Sequence, residues 1–272
     1  MSKSFQKYTI FSILISVTFC SCTEKINLEL DEGEKHIVIE AAVSNSIRNQ
    51  VVRISQSSAY YDSLPIQPVS EALVSITDST NIYVFIEVQP GIYLSSVSFG
   101  GKPGQEFHLK VLADELLYEA SSIMPRVPSI DSIQFSADNE DSQLFHIGLF
   151  AQENPLPGDF YFWGVFKDQI YQTTNLTMLS FASDELINGS YFNGNNVQSV
   201  SAKPGNRISL QMANIQKDYF DYCTSVLKET IYNDGVFETS PANIKGNISN
   251  GALGFFFTYA ETLKTQLVKI EN

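Results

Sequence analysis

Residues 106–112 read Glu-Phe-His-Leu-Lys-Val-Leu, in which the apolar Phe107, Leu109 and Val111 alternate with the polar Glu106, His108 and Lys110. Successive side chains of a β-strand point to opposite faces, so this pattern predicts a strand with one buried and one solvated face. The same pattern, or a short apolar run between turn residues, recurs at residues 36–43, 51–57, 72–77, 82–87, 92–97 and 116–123. Short strands separated by turn signals predict an immunoglobulin-like or fibronectin-like β-sandwich over residues 35–124.

A proline-containing link divides the chain into two predicted domains. The link is Met124-Pro125-Arg126-Val127-Pro128, and proline disfavours both helix interiors and central strands. We therefore place the second domain at residues 125–272. Its predicted strands are residues 130–136, 145–152, 159–167, 177–182 and 207–213, with a final pair at 254–259 and 265–270. Residues 183–196 are rich in Asn, Gly and Ser and are predicted to form a long exposed loop.

One amphipathic helix is predicted within the second domain, at about residues 216–234. Apolar side chains recur there at three- and four-residue spacing, which places them on one helix face. They are Tyr219, Cys223, Val226, Leu227 and Ile231. The whole sequence thus predicts a mainly β protein, in which a sandwich is followed by a second β-rich domain with one amphipathic helix.

The first residues carry the pattern of a bacterial lipoprotein signal. Two lysines precede an apolar run, residues 10–19, which has the length of a signal-peptide core and is too short to span a bilayer. The run ends at Cys20-Ser21-Cys22, where a small residue directly precedes a cysteine. Signal peptidase II cleaves before such a cysteine once a diacylglycerol is attached to it. We predict that residues 1–21 are the signal peptide and that Cys22 is lipidated.

Three alternatives to lipidation at Cys22 have less support. Cys20 follows the bulky Phe19, at a position where a small residue is required. A simple secretory signal leaves both cysteines without a role. A transmembrane anchor needs about 20 consecutive apolar residues, whereas the most apolar late segment, residues 253–259, has only the length of a strand.

Composition predicts an acidic body held by a tether. Residues 22–34 are polar and acidic and form the predicted tether. The chain has 17 Lys plus Arg against 30 Asp plus Glu, a formal net charge of −13, which opposes contact with nucleic acid and anionic lipid surfaces. We expect a protein anchored in the outer membrane through its lipid, without a nucleic-acid partner. Its side of that membrane, the cell surface or the periplasmic face, is left open.

Several short segments, taken in order, resemble one known family. They are Ile37-Val38-Ile39-Glu40, Val52-Arg53-Ile54-Ser55, residues 68–76, 127–131 and 158–163, and the most specific ones, residues 240–248 and 250–256. Together they resemble the Bacteroidota lipoprotein family defined by domain of unknown function 4249, over nearly the whole mature chain. The resemblance implies a cell-envelope lipoprotein, often encoded beside a TonB-dependent outer-membrane receptor, with no established activity and no catalytic residue to carry over.

The residues themselves offer no recognisable catalytic or metal-binding motif. The sequence has no Gly-x-Ser-x-Gly elbow and no phosphate-binding glycine loop, and His36, His108 and His146 lack zinc-site spacing. The acidic run Asp138-Asn139-Glu140-Asp141 favours a hairpin turn over a calcium loop, because the twelve-residue loop pattern is missing. We therefore expect no metal, no cofactor and no enzymatic activity.

Exposed aromatic residues are the best candidates for ligand contact. Tyr60 and Tyr61 fall in a loop-like segment before Pro65. Exposed aromatic rings stack on sugars and anchor protein interfaces, so these two tyrosines are the predicted ligand-binding residues. Trp163 lies in a segment that is apolar on both faces and is predicted to be part of the core.

These observations favour a non-catalytic cell-envelope lipoprotein that serves as an accessory or binding subunit of a TonB-dependent outer-membrane transporter. The first alternative is a surface lipoprotein that binds a glycan or a peptide on its own. The second is a secreted hydrolase, since 30 acidic residues always offer carboxylate pairs. A cleft that holds two close carboxylates would favour the hydrolase.

Overall fold

A computed structural model describes residues 35–57, 66–141, 143–231 and 244–269. They belong to one compact unit that starts at Lys35. Strands dominate, and the single α-helix within these ranges is α1 (Lys217–Ile231), which confirms the predicted mainly β class with one helix. None of the described helices has the length and apolar content that a membrane span requires. Cys22, the tether and the two tyrosines Tyr60 and Tyr61 lie outside the described residues.

Sixteen strands occur in the described ranges. They are β1 (Ile37–Ser44), β2 (Val51–Gln56), β3 (Gln67–Pro68), β4 (Leu73–Thr77), β5 (Ile82–Gln89), β6 (Ile92–Ser95), β7 (Glu106–Ala113), β8 (Leu116–Ile123), β9 (Ile130–Ala137), β10 (Leu144–Gln152), β11 (Phe160–Lys167), β12 (Ile170–Tyr171), β13 (Ser180–Ser183), β14 (Tyr191–Ser201), β15 (Arg207–Ile215) and β16 (Leu253–Leu267). Short 3-10 turns lie at Leu176–Met178 and Asp184–Leu186.

Most of these strands form one long sheet. Its order is β12-β11-β15-β16-β1-β2-β6-β5-β4-β7-β8, with β13 beside β11 and β3 beside β2, and a smaller sheet has the order β14-β10-β9. Strands β1 and β16 pair in parallel, whereas their other neighbours in the sheet, β2 and β15, pair with them antiparallel. The first and the last described strands are therefore adjacent in one sheet.

Strand β16 is longer than the sequence predicts. Its first part, from Leu253 to Tyr259, pairs with β1, and its second part, from Ala260 to Leu267, pairs with β15. The predicted pair of strands at 254–259 and 265–270 was wrong, because residues 260–264 continue a single strand. These residues include the charged Glu261 and Lys264, which weaken the apolar signal, but backbone pairing with β15 keeps them extended.

The predicted loop at residues 183–196 was also wrong in its second half. Strand β14 begins at Tyr191 and pairs with β10 along its length, with register shifts near Gly148 and Leu149. The asparagines that suggested a loop, Asn193, Asn195 and Asn196, are exposed on this strand. Likewise, the predicted strand at 177–182 is a 3-10 turn followed by β13. At β14, tertiary pairing overrides local propensity.

Side-chain alternation sorts the buried residues into three clusters. The first fills the inside of the curled front sheet and includes Ile39, Ile54, Ile76, Phe107 and Leu109. The second lies between the small sheet and β11 and β15 and includes Ile147, Leu149, Trp163, Leu210 and Met212. The third lies on the opposite face of β11, β15 and β16, where Phe160, Phe162 and Ile215 meet partly buried rings from α1 and β13. Trp163 is part of the core, as the alternation predicts.

The front sheet curls until β8 lies against β16. The hydroxyl oxygen of Ser122 in β8 accepts a hydrogen bond of 3.0 Å from the backbone N–H of Thr258 in β16. The backbone of Ser249, just before β16, donates to the carbonyl of Glu119 at 2.9 Å. The strands of residues 35–124 thus surround one core and are completed by β16. The division into domains at residue 124 stays a prediction.

Gly254 lies where β1 and β16 come closest. Its φ of +90° belongs to the left-handed region, and a Cβ there would collide with the carbonyl oxygen of Ile39. On the free side of the strand, the Asn247 amide donates to the carbonyl of Phe256 at 2.7 Å and accepts from its N–H at 2.9 Å. Only glycine fits both the backbone angle and the close approach at this position.

We expect Gly254→Ala to lower the free energy of unfolding by at least about 3 kcal/mol, since left-handed strain of about 1–2 kcal/mol adds to the displacement of β1. The matched control is Gly251→Ala, whose φ is +74° with no atom within 4 Å of the added Cβ. Its expected loss is the strain alone. Urea unfolding of a version that begins at Thr23 measures both, and equal losses would contradict the close packing of β16 on β1.

Candidate functional site

The outer face of β16 carries a row of aromatic rings. Because side chains alternate along a strand, Phe256 and Ala260 point into the first core, while Phe255, Phe257 and Tyr259 point to the opposite face. The Phe257 and Tyr259 rings lie 5.6 Å apart, centroid to centroid. This row forms the floor of the candidate site.

Helix α1 covers one side of this floor. Tyr219 and Tyr222 lie three residues apart, so they share a helix face. The Tyr219 ring stacks on Phe257 with centroids 3.6 Å apart and an angle of 10° between the planes. The Tyr222 ring lies 5.0 Å from that of Phe255. The helical periodicity predicted a buried face that includes Tyr219, and the structure shows that this face packs on aromatic rings of β16.

Opposite the helix, the outer face of β1 and β2 forms the second wall. Glu40 and Arg53 are cross-strand neighbours there, and Ala42 follows Glu40 on the same face. The space between these residues, α1 and the floor is a cavity of about 400 Å³. We name it the first lobe. Its volume lies within the range that small-molecule sites occupy.

A second lobe, also about 400 Å³, extends across β11 and its neighbours. Aromatic rings line it almost completely: Phe162, Phe166, Tyr171 and Phe181, together with Phe257 and Tyr259 from the floor. Both lobes are bordered by Ala42, Arg48, Tyr219, Phe257 and Tyr259, so they adjoin. We name the two lobes together the aromatic groove.

Arg48 lies at the junction of the two lobes. Its guanidinium carbon is 5.8 Å from the centroid of the Tyr259 ring, its Nη2 donates to the Tyr259 hydroxyl, and the same nitrogen is 3.4 Å from the carboxylate of Glu261. The Arg48 side chain is 45% exposed and that of Glu261 is 3% exposed. The pair therefore places a buried negative charge behind a positive charge that faces the groove.

Burial keeps the phenol and thiol groups around the groove neutral. It raises the pKa of Tyr259 to about 12, with a further rise from Glu261 and a decrease from Arg48. It raises the pKa of Tyr219 well above the ordinary value, and that of the Cys223 thiol to about 12. A thiol that stays protonated is a poor nucleophile. The groove thus offers ring faces, neutral hydroxyl groups and charged side chains at one wall.

A second cluster lies elsewhere, near the start of β11. Carboxylate oxygens of Glu153, Asp159 and Asp184 lie within 4.8 Å of one another, and all three residues are buried. We name them the acidic cluster. Oxygen ligands at this spacing suit hard cations such as Ca²⁺, but the oxygens already have donors within the protein.

These donors come from several parts of the second half. Asp184 accepts from the backbone N–H groups of Gly158 and Asp159 at 2.8 and 3.0 Å. Glu153 accepts from the Tyr161 hydroxyl at 3.0 Å, and Asp159 from the Asn214 amide at 2.7 Å and from Arg126 at 3.1 Å. All of these donors belong to the protein. The acidic cluster therefore has a structural role, because it joins the loop backbone to the Arg126 guanidinium.

The residues singled out in the sequence do not converge on one site. Asp138 closes a hairpin turn by accepting the N–H groups of Glu140 and Asp141, and its other oxygen lies 2.9 Å from His146. His108 is exposed beside Glu106 at 3.8 Å, and His36 lies just before β1. The lipidation residue Cys22 and the predicted ligand residues Tyr60 and Tyr61 stay predictions, since they lie outside the described residues.

Sequence reasoning missed both the groove and the acidic cluster. Arg48 and Tyr259 are separated by 211 positions, so no local pattern joins them. One signal was present: Phe255, Phe257 and Tyr259 alternate with Phe256, which makes that segment aromatic on both faces. A strand with apolar residues on both faces must pack against other elements on both sides. Helix α1, which the helical periodicity predicted, packs on one of these sides.

We expect Arg126→Met to lower the free energy of unfolding by about 3 kcal/mol, because it leaves buried carboxylates without their cation. The control is Lys110→Met, which breaks an exposed pair with Glu119 at 3.0 Å and should lose less than about 1 kcal/mol. Thermal and urea unfolding measure both variants. Similar losses in the two would show that the acidic cluster does not depend on Arg126.

Comparisons with known proteins identify the family of this chain. No curated protein matches the chain. A solved chain titled "Cytokine receptor complex - Crystal form 1A" is similar over 86% of this chain and 97% of its own, at 6% identity and a TM-score of 0.26, which is too weak to support any inference. The family model described as "Domain of unknown function (DUF4249)" matches residues 23–265. The chain therefore belongs to the DUF4249 family.

Proposed function

We propose that this protein is a non-catalytic lipoprotein of the outer membrane that acts as an accessory or binding subunit of a TonB-dependent transporter. The observation that carries the proposal is an exposed apolar surface on the front sheet. It lies on strands β4, β5 and β7, and we name it the apolar face. It consists of Leu73, Ile82, Val84, Ile86 and Leu112.

The apolar face follows from the alternation of β5. Phe85 points into the first core, while Ile82, Val84 and Ile86 point outward. These three are 72%, 53% and 57% exposed, whereas outward positions of a solvated strand are ordinarily polar. Across the sheet, Leu73 of β4 lies directly opposite Leu112 of β7. The exposed apolar side chains therefore share the outer face of three adjacent strands, where Ser75 and Thr77 of β4 lie opposite Val84 and Ile82.

An exposed apolar surface on an acidic protein favours a protein partner. Water-exposed apolar patches of this kind mark interaction sites more often than free surface. The formal net charge of −13 opposes adsorption to an anionic lipid surface. A transporter in the same membrane is the partner that the predicted lipid anchor brings within reach, because the anchor restricts the protein to that surface.

The stand-alone binding protein is the second candidate, and the aromatic groove favours it. A groove of this size and composition can hold a small ligand without any transporter. Both candidates share a ligand-binding role, and they differ in whether the apolar face has a partner. The hydrolase has less support, because the close carboxylates of the acidic cluster are buried and occupied by protein donors.

We expect the protein to incorporate labelled palmitate in its native host, and Cys22→Ser to abolish both the label and the membrane association. The reason is that attached acyl chains contribute about 0.8 kcal/mol per buried methylene, and stable anchoring needs more than one chain. Cys20→Ser is the matched control and should keep the label. Label that persists in Cys22→Ser, or membrane association that is unchanged without it, would contradict lipid anchoring at this residue.

We expect the tagged protein to co-purify with a transporter from envelope membranes in mild detergent, and the double variant Val84→Lys with Ile86→Lys to lose that partner. Burial of a lysine at an interface requires desolvation of its charge, so the variant should lose the partner. Substitution of exposed side chains changes stability little, so the variant should still fold. The control adds the same charge outside the apolar face, at the exposed residues Leu156 and Leu186. Mass spectrometry of the eluate and Tm of each variant are the measurements.

Two results would count against the accessory role. One is recovery of the protein without a transporter in repeated native purifications. The other is a dimer in light scattering that the double lysine variant converts to a monomer, which would assign the apolar face to a second copy of the chain.

A further inference from the structure

We propose that the aromatic groove binds an amphipathic organic anion, a molecule with a flat or elongated apolar body and one acidic group. The inference rests on the proposed binding role and names the ligand class for it. It places the apolar body in the second lobe and the acidic group at Arg48.

The second lobe is suited to an apolar body. Arg48 is the one charged side chain among the described residues that line it, and the other lining residues are aromatic or aliphatic except for Gln211. Transfer of apolar surface from water into such a lobe is favourable, roughly in proportion to the area removed from water. The rings of Phe162, Tyr259 and Phe257 offer faces and edges on which a flat group can pack.

The position of the acidic group follows from the charge distribution. Aromatic faces are negative and disfavour an anion, so an acid in this lobe needs the guanidinium of Arg48. Among the described residues, the hydrogen bond and the ion pair of Arg48 both use Nη2. Its Nε and Nη1 therefore remain as donors. They point away from each other, so the acidic group is held by one charge-assisted hydrogen bond together with the positive charge of the guanidinium.

Arg48 is held in place before any ligand arrives. The carboxylate of Glu261 accepts hydrogen bonds from the Ser46 hydroxyl at 2.7 Å and from the Gln211 amide, and it also faces Arg48. The Tyr259 ring lies beneath the guanidinium. A donor fixed on both sides loses little conformational entropy on binding, which favours affinity.

The acidic composition of the chain does not prevent this. Salt screens charges beyond roughly 10 Å at ordinary ionic strength, so an anion in the groove responds mainly to nearby groups. In the first lobe, Glu40 and Arg53 are cross-strand neighbours of opposite sign. The charges in the first lobe thus balance each other. They repel neither the acidic group of the ligand at Arg48 nor a polar group that extends toward the first lobe.

The test uses two dyes that differ in one acidic group, 1-anilinonaphthalene-8-sulfonate and the neutral N-phenyl-1-naphthylamine. We expect one anionic dye per protein, and at least a tenfold loss of its affinity in the double variant Arg48→Met with Glu261→Gln. The second change removes the carboxylate that Arg48 otherwise neutralises. The neutral dye should lose less than twofold. Arg207→Met, which removes an exposed arginine outside the groove, should leave both affinities unchanged.

A competition with the unmodified protein keeps the proposal testable if the variant does not fold. We expect 2-naphthoate to displace the anionic dye at concentrations at least tenfold below those of 2-naphthalenemethanol, the neutral alcohol of the same ring. Equal displacement by the acid and the alcohol, or an unchanged affinity for the anionic dye in a folded double variant, would overturn the proposal. So would a folded wild-type protein that binds neither dye. None of these results bears on whether a transporter co-purifies, so the two proposals can fail separately.

Discussion

The structure depends on one strand, β16, that joins the two parts of the long sheet. β16 pairs in parallel with β1 through its first part and antiparallel with β15 through its second part. An unpaired strand edge in a protein interior leaves backbone N–H and C=O groups without partners, which is costly. Here the amide of Asn247 supplies the missing partner for Phe256, on the side of β16 away from β1. Gly254 allows the approach to Ile39 that this pairing requires. The two halves of the chain are joined by backbone hydrogen bonds, in addition to side-chain contacts.

This shared strand also creates the groove. One face of β16 packs toward the cores of both halves. The aromatic residues on its other face must therefore pack against other elements. Helix α1 covers them in part, and the stacking of Tyr219 on Phe257 adds roughly 0.5–1.5 kcal/mol beyond burial. The remaining rings, with Arg48 above Tyr259, border open space. Because other elements cover the third cluster only in part, there is room for a ligand beside it, and some of its apolar surface stays exposed.

The sequence predicts what is local and misses what is distant. Alternation such as that of residues 106–112 predicts strands because the two faces of each strand meet different surroundings, and it does so for most of the front sheet. It fails at β14, where exposed asparagines suggest a loop, and in the middle of β16, where Glu261 interrupts the apolar pattern. In both places, pairing with a strand distant in sequence decides the conformation. The helix could be predicted because its periodicity is local. Its partners on β16 and the role of Arg48 could not be predicted, because they depend on residues distant in sequence.

The aromatic groove and the apolar face occupy different parts of one sheet. The groove lies over β11, β15, β16, β1 and β2, while the apolar face lies over β4, β5 and β7, and they share no residue. Separate surfaces allow a ligand and a protein partner to bind at the same time, which a binding subunit requires. Strand β6 lies between β2 of the groove and β5 of the apolar face, so a partner on the apolar face leaves the groove open to solvent unless its own bulk extends across β6. Because the two surfaces share no residue, no direct contact couples them, and the ligand affinity of the isolated protein should be close to that of the complex.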